Sequence, residues 1–401
     1  MNRPLLVIFA AIALDAIGIG LIFPILPHLI EEVTHAQSVA TYIGILTALY
    51  AAMQFSFAPV LGALSDRLGR RPVLLLSLAG AAVNYLLMAL APSLTLLIVG
   101  RAIAGLTSAN ISVATAYITD ISPEGTRAKR FGILNAMFGI GFILGPVLGG
   151  ALGDYWLRLP FIAAAALNAA NLMLALFVLP ESRAPSRAKL DLGELNPLRP
   201  LRWVLSMRSL LPIIATFFLL SATGEVYGVC WALWGQDVFR WNGLWIGLSL
   251  GAFGICQSLA QALLPGLAVS VLGERGAVLT GIGGACLALT GLAFAAQAWM
   301  VFALMPVVAL AGIGTPALQS LATRLVDDDR QGQFQGVLFS AMSLASIAGP
   351  LGFSSFYFAV RDHWPGAIWL SALVVNATAV PLVASLRFSS PAASSTGRDA
   401  G

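Results

Sequence analysis

Twelve apolar runs, each about 20 residues long, succeed one another along the chain, at roughly 5–27, 41–64, 73–91, 94–118, 131–153, 160–179, 210–235, 243–266, 275–297, 299–322, 334–357 and 365–386. A helix of about 20 residues crosses the ~30 Å hydrocarbon layer of a bilayer. Repeating that pattern twelve times leaves little choice of solvent. Composition agrees, since 58% of the 401 residues are apolar and 10% charged, against about a quarter charged in soluble domains. Backbone groups in lipid must be satisfied internally, so runs of this length predict helices. The expected fold class is an all-α membrane protein with twelve transmembrane helices.

The N-terminal segment has features of a secretory signal, with Arg3 before an apolar stretch and Ala11-Ile12-Ala13 as a cleavage-like site. The apolar run continues to about residue 27, too long for a cleaved h-region, so an uncleaved first span is expected. With the N-terminus inside, 18 basic residues fall in inner segments and three, Arg158, Arg240 and Arg361, in outer ones. Basic residues favour the cytoplasmic side, so both termini are expected there. Trp156, Trp241, Trp245, Trp299 and Trp364 fall near the outer ends, as an interfacial aromatic belt requires. Cys230, Cys256 and Cys286 lie in separate apolar stretches and read as buried free thiols. His28, His35 and His363 have no metal-like spacing. No metal or cofactor is expected.

One charged, Pro-containing loop at 181–209 divides the spans into two sets of six. The expected organisation is an N-terminal half at 1–180, a cytoplasmic linker at 181–209, a C-terminal half at 210–388 and a disordered tail at 389–401. The halves share a register. Gly62, Leu68, Gly69 and Arg71 recur 204 positions on as Gly266, Leu272, Gly273 and Arg275. At the same offset Gly132 meets Gly336, and Gly145-Pro146 meets Gly349-Pro350. Two parallel six-span repeats suit a rocking transporter with a site between its halves.

Five stretches carry a family resemblance. Gly62-Ala63-Leu64-Ser65-Asp66-Arg67-Leu68-Gly69-Arg70-Arg71-Pro72 resembles the signature loop of the major facilitator superfamily. The run from Gly139 to Gly150, with Gly141, Gly145, Pro146 and Gly149, resembles the fifth-helix motif of its drug/proton antiporters. Residues 14–27, LDAIGIGLIFPILP, are similar to the tetracycline/proton antiporters of that superfamily, as are IGLSLGAFGI at 246–255 and DDRQGQFQG at 328–336. The resemblance implies the superfamily fold of two pseudo-symmetric six-helix halves. It also implies proton-coupled efflux of a small amphipathic compound by alternating access from a bacterial inner membrane, with a monomer as the working unit.

Intramembrane ions are expensive and mark functional sites by default. Asp15 falls near the middle of the first span and Glu225 near the middle of the seventh, its equivalent, so both are expected to face a central cavity as proton-coupling groups. Arg101, in the fourth span, is the third, with a role in proton handling implied by the resemblance. A purely structural reading stays open for each: backbone hydrogen bonding for Asp15 and Arg101, a polar cavity wall for Glu225. In the loop, Gly62 and Gly69 allow a tight turn, Asp66 is placed to cap a neighbouring helix N-terminus, and Arg70 to pair with Asp120. With Arg71 these form an expected inner gate. The glycines of 139–150 allow close helix packing, with Pro146 bending the span. Tyr50, Gln54, Asn84, Asn110, Trp231, Gln257 and Gln261 are expected to line the cavity and bind substrate by stacking and hydrogen bonding.

The resemblance also implies ionisable groups that this chain lacks. A carboxylate is expected where Asn84 stands, another near Ala285, and in some members a histidine at the position of Gln257. An amide cannot release a proton, so Glu225 is the expected replacement carrier. A transporter of another metabolite is the alternative, and a non-transporting membrane sensor a remoter one. No nucleophile–base constellation or P-loop occurs, so an enzyme is not expected, nor a nucleic-acid partner.

Overall fold

The computed structural model describes residues 3–34, 39–108, 110–182, 210–323 and 331–385. All regular structure among them is helical. The first half comprises α1 (Arg3–Ile22), α2 (Leu26–Thr34), α3 (Val39–Leu68), α4 (Arg70–Leu90), α5 (Leu94–Thr107), α6 (Asn110–Asp120), α7 (Glu124–Tyr155) and α8 (Leu159–Val178). The second comprises α9 (Leu211–Phe239), α10 (Gly243–Ala293), α11 (Ala298–Leu310), α12 (Gly314–Thr323), α13 (Gln331–Val360), α14 (Ala367–Ala377) and α15 (Ala379–Ser385). Most of the 181–209 linker and all of the 389–401 tail lie outside the described residues.

Helix α10 runs for 51 residues. At 1.5 Å per residue that is about 75 Å, more than twice the hydrocarbon thickness. It is two spans meeting at Gly273, whose φ of 70° and ψ of 170° leave the helical region. Its partner in the repeat, Gly69, joins α3 to α4 with a φ of 103°. Both positions fall in backbone conformations that a side chain would strain. The residue two places on behaves alike in each half: Arg71 Nη2 donates to the Leu176 carbonyl and Arg275 Nη2 to the Ala384 carbonyl, both at 2.6 Å. With α10 counted twice, the described helices form twelve spans.

Four spans are broken where continuous helices were expected, the first at residues 23–25, the twelfth at Thr378, and two at matching places in the halves. The fourth divides at Ser108, between α5 and α6. The tenth divides at a 3-10 turn, Ala311–Ile313, between α11 and α12. Ser108 and Gly312, the centres of these breaks, are again 204 positions apart. Such interruptions are tolerated at membrane depth where the backbone lines a cavity.

Within the first half α1 packs on α7, α4 on α8 and α3 on α5; within the second α9 packs on α13 and α10 on α11. Two seams join the halves, α7 against α10 and α3 against α13. They are related by the repeat: the Pro146 carbonyl abuts Gly247, and the Pro350 carbonyl abuts Gly44. The α7–α10 seam continues from Gly150 on Gly243 to Gly139, whose side-chain position would lie 3.9 Å from Ser258 Oγ. Nearer the end that carries Arg67, Arg70 and Arg130, Gly132 and Gly266 face open space.

The apolar core follows the same gradient. One cluster, from Leu21, Ile25 and Leu29 to Trp234, Ile246 and Leu292, spans both halves at the end opposite the basic loops. At the basic end the core is two separate clusters, one around Ile8, Leu74 and Tyr117 and one around Ile213, Val278 and Phe334. The molecule is therefore closed at one end and parted at the other. Trp156, Trp245, Trp299 and Trp364 are exposed at the closed end, as an aromatic belt requires, but Trp241 is 6% exposed and turns inward against Phe239 and Phe302. Of the three free thiols only Cys230 is buried; Cys256 and Cys286 are partly exposed.

Candidate functional site

Between the halves lies a cavity of about 580 Å³. Asp15, Tyr50, Gln54, Asn84, Tyr85, Arg101 and Ser108 line it from the first half, and Glu225, Tyr227, Phe253, Gln257, Ser346 and Asn376 from the second. All three expected intramembrane ions therefore reach one space. Its size falls within the ~300–1,000 Å³ typical of small-molecule sites.

The first-half wall is a connected polar patch. At the break in the fourth span, Ser108 Oγ lies 2.8 Å from Tyr50 Oη and accepts from Gln54 Nε2 at 3.0 Å. The Arg101 guanidinium carbon sits 5.0 Å from the centroid of the Tyr50 ring, within cation–π range. Tyr85 rests against Gly18, with its hydroxyl where a side chain would otherwise stand. Asp15, one turn earlier on α1, and Arg101 both act electrostatically on Tyr50 and Tyr85. In the second-half wall, Ser346 Oγ donates to Glu225 Oε1 at 2.6 Å. Tyr227 stacks with Phe253, rings 5.8 Å apart.

Asp15 and Glu225 are not at equivalent depths. Gly145 lies against the Ile17 carbonyl and Gly20 on α1, while its repeat partner Gly349 lies against the Ala222 carbonyl and Glu225 on α9. Glu225 therefore occupies the register of Gly20. By that measure it stands five residues, about 7–8 Å, nearer the closed end than Asp15. Sequence placed each carboxylate near mid-span, and only the cross-helix contacts reveal the stagger.

Asn84, Gln257 and Ala285, the positions of the implied ionisable groups, all line the cavity. Asn84 Oδ1, Gln257 Oε1 and Arg101 Nε are buried and make no hydrogen bond among the described residues. A buried polar atom left unsatisfied costs about 1–3 kcal/mol, which a bound molecule pairing with it would recover. Two expected lining residues lie elsewhere. Trp231 is 2% exposed, turned away behind Tyr227 with its Nε1 donating to Ser249 Oγ at 2.8 Å. Gln261, one turn beyond Gln257, is exposed, with its amide beside Gly312 and outside the cavity wall. The side chain of Asn110 lies outside the described residues.

At the basic end the loop residues converge on Arg70. It reaches Asp66 Oδ1 at 2.7 Å, Asp120 Oδ2 at 3.1 Å and Ser65 Oγ at 3.0 Å. Glu181, after the end of α8, accepts from the Arg70 and Arg71 backbone N–H groups at 2.7 and 3.2 Å, satisfying the N-terminus of α4. Glu181 was not singled out because it stands 111 positions from Arg70 and nothing in the local pattern marks it. Gly62 faces open space, so no close approach is made there in this state.

The glycine motif of α7 serves two partners. Gly141, Gly145 and Gly149, four apart on one face, lie against Ala13, Ile17 and Leu21 of α1. Pro146 and Gly150 present the adjacent face to Gly247 and Gly243 of α10. Asp154, one turn on, accepts from the backbone N–H groups of Gly243 and Leu244 at 2.8 and 3.0 Å, capping α10 from across the seam. His28 Nδ1 and Gln236 Nε2 also lie 3.3 Å apart across the halves.

Two helical halves around a mid-membrane polar cavity, closed at one end only, define a membrane transporter. The Major Facilitator Superfamily model matches residues 8–350, with a second match at 231–401. The chain is 45% identical over 380 residues to the class C tetracycline resistance protein of Escherichia coli, covering 95% of this chain and 96% of that one. It is 42% identical to the class G protein of Vibrio anguillarum, covering 96% and 98%. Among solved structures, nucleoside transporter NupG superposes with a TM-score of 0.81 at 13% identity, over 95% of this chain and 99% of that one. The chain belongs to the Major Facilitator Superfamily and, within it, to the tetracycline/proton antiporter family. It is a transporter and not an enzyme.

Proposed function

We propose that the chain exports tetracycline or a closely similar amphipathic compound in exchange for protons, with its basic end in the cytoplasm. The observation that carries this is the gathering of Asp15, Arg101 and Glu225 into one cavity shared by the two halves. The described state is then open toward the cytoplasm, ready to receive drug. The aromatic faces of Tyr50, Tyr227 and Phe253 suit a fused-ring compound. Asn84 and Gln257 supply amide acceptors and Arg101 a cationic donor to its oxygens and hydroxyls. Both termini lie on the cytoplasmic side in this reading, and a monomer suffices because the cavity is complete within one chain.

Proton coupling rests on Asp15 and Glu225, the two acids that line the cavity among the described residues. With an amide at Asn84 and a methyl at Ala285, Glu225 carries the second-half share of the exchange. A susceptibility panel in a pump-deficient host tests the reading. The wild type should protect against tetracycline, and Asp15→Asn should not. In inverted vesicles Glu225→Gln should uncouple tetracycline uptake from the proton gradient. Undiminished coupling in that variant removes Glu225 from the mechanism.

A further inference from the structure

We infer that Ser346 is a positioning residue that ties the protonation of Glu225 to the α3–α13 seam closing the far end of the cavity. The inference deepens the proposed antiport and rests on Glu225 as a carrier. Within one turn of α13, three contacts follow one another. Ser346 Oγ donates to Glu225 Oε1 at 2.6 Å. Gly349 lies against the Glu225 side chain, its side-chain position 2.9 Å from Cβ and 3.1 Å from Cγ. The Pro350 carbonyl then abuts Gly44 of α3, in the other half. The acid's hydrogen-bond donor, the glycine packed on the acid and the inter-half contact thus fall within five residues of one helix, 346–350.

The repeat provides an internal comparison. In the first half the equivalent glycine, Gly145, rests on the backbone of Ile17 and Gly20, and Pro146 meets Gly247. No ionisable side chain enters that contact. The two seams are alike in backbone packing and differ in the carboxylate built into one of them. The other titratable groups facing the same space are Asp15, Tyr50, Tyr85 and Arg101 across the cavity and Tyr227 on α9 itself.

An ionised carboxylate only accepts hydrogen bonds, whereas a protonated one also donates. With Glu225 ionised, the Ser346 hydroxyl donates to it and holds the 346–350 turn against α9. With the seam parted, a proton arriving from outside water neutralises Glu225 and removes the charge that Ser346 solvates. After the halves rock, the proton leaves to the cytoplasm, Glu225 ionises, and the Ser346 hydrogen bond holds the 346–350 turn and the seam against Gly44. Drug bound in the cytoplasm-open cavity then has to break that bond for the seam to part again. No covalent bond other than O–H is made or broken.

The test uses the full-length chain in inverted vesicles with tetracycline as probe. Two rates are compared: accumulation driven by a proton gradient, and gradient-free exchange of labelled for unlabelled tetracycline. Ser346→Ala should lower driven accumulation about tenfold, the weight of one charge-assisted hydrogen bond, while exchange stays close to wild type. Ser346→Thr, which keeps the hydroxyl, should restore driven accumulation. Ser346→Cys, of similar volume, serves if the alanine variant does not insert. Wild-type driven accumulation in the alanine variant overturns the inference. Equal loss of both rates, unrescued by threonine, also overturns it in favour of a packing role. If Glu225→Gln accumulates normally, the coupling assignment itself fails, which is a separate outcome from failure of Ser346 alone.

Discussion

Arg67, Arg70 and Arg71 stand within five positions of one another, yet only Arg70 is buried, at 7% exposure. Its guanidinium serves Asp66, Asp120 and Ser65 together. Removing one partner of a buried ion pair costs about 3–5 kcal/mol, and the half-exposed Asp66 places this case at the lower end. Asp66 itself, 55% exposed, contributes about 1 kcal/mol or less to stability. Arg70→Ala should therefore lower the thermal unfolding midpoint of the purified protein in detergent clearly, and Asp66→Ala scarcely. Arg70→Lys should recover only part of the loss, because an ammonium cannot reproduce the planar fork. If Asp66→Ala also leaves tetracycline transport normal, the loop has no gating role. Side-chain identity in the loop was readable from the sequence. The pairing of Arg70 with Asp120 was anticipated there, but the part of Glu181, which holds the backbone of Arg70 from 111 positions away, was not.

Among the elements, hydropathy marked the spans well and their interruptions poorly. The turn at Gly273 was legible through its repeat partner Gly69, since both leave the helical region for the same reason. The breaks at Ser108 and Gly312 lie where each span turns less apolar, but that fall marks a shift in polarity and not where the backbone leaves the helix. Helical phase was equally unreadable in the seventh span, where apolar residues surround the whole circumference. Trp231 and Tyr227 are one turn apart there, and packing against Trp369 and Ser249 decided which ring faces the cavity. The cap on α10 belongs to this scale too. Asp154 holds the first two N–H groups of a helix in the opposite half, where a carboxylate is favoured by the helix dipole. Losing it should destabilise the closed end by about 1 kcal/mol, a fivefold shift in population. A cysteine at the cavity residue Leu250, with Cys230, Cys256 and Cys286 replaced, reports this. Asp154→Ala should speed its labelling by an impermeant thiol reagent from the closed-end side about fivefold. An unchanged rate means the cap does not hold the seam.

For the molecule as a whole, the repeat predicts that closure is a property of two matched seams rather than of one. At each, a proline carbonyl meets a glycine from the other half, Pro146 with Gly247 and Pro350 with Gly44. A side chain at either glycine would occupy the space of that carbonyl. Forcing extra methyl groups into such a contact costs about 1–3 kcal/mol, and relief is available by parting the halves at that end. Gly247→Val should therefore leave the protein inserted and able to bind tetracycline, but resting open at the end that is closed here. The Leu250 cysteine should become accessible from that side, and transport should stop because the halves no longer close there. Gly44→Val should do the same if the seams act in parallel. If only one of the two substitutions opens the closed end, the halves do not pivot as symmetric rigid bodies. The seam whose glycine substitution opens it would then be the one that sets the movement.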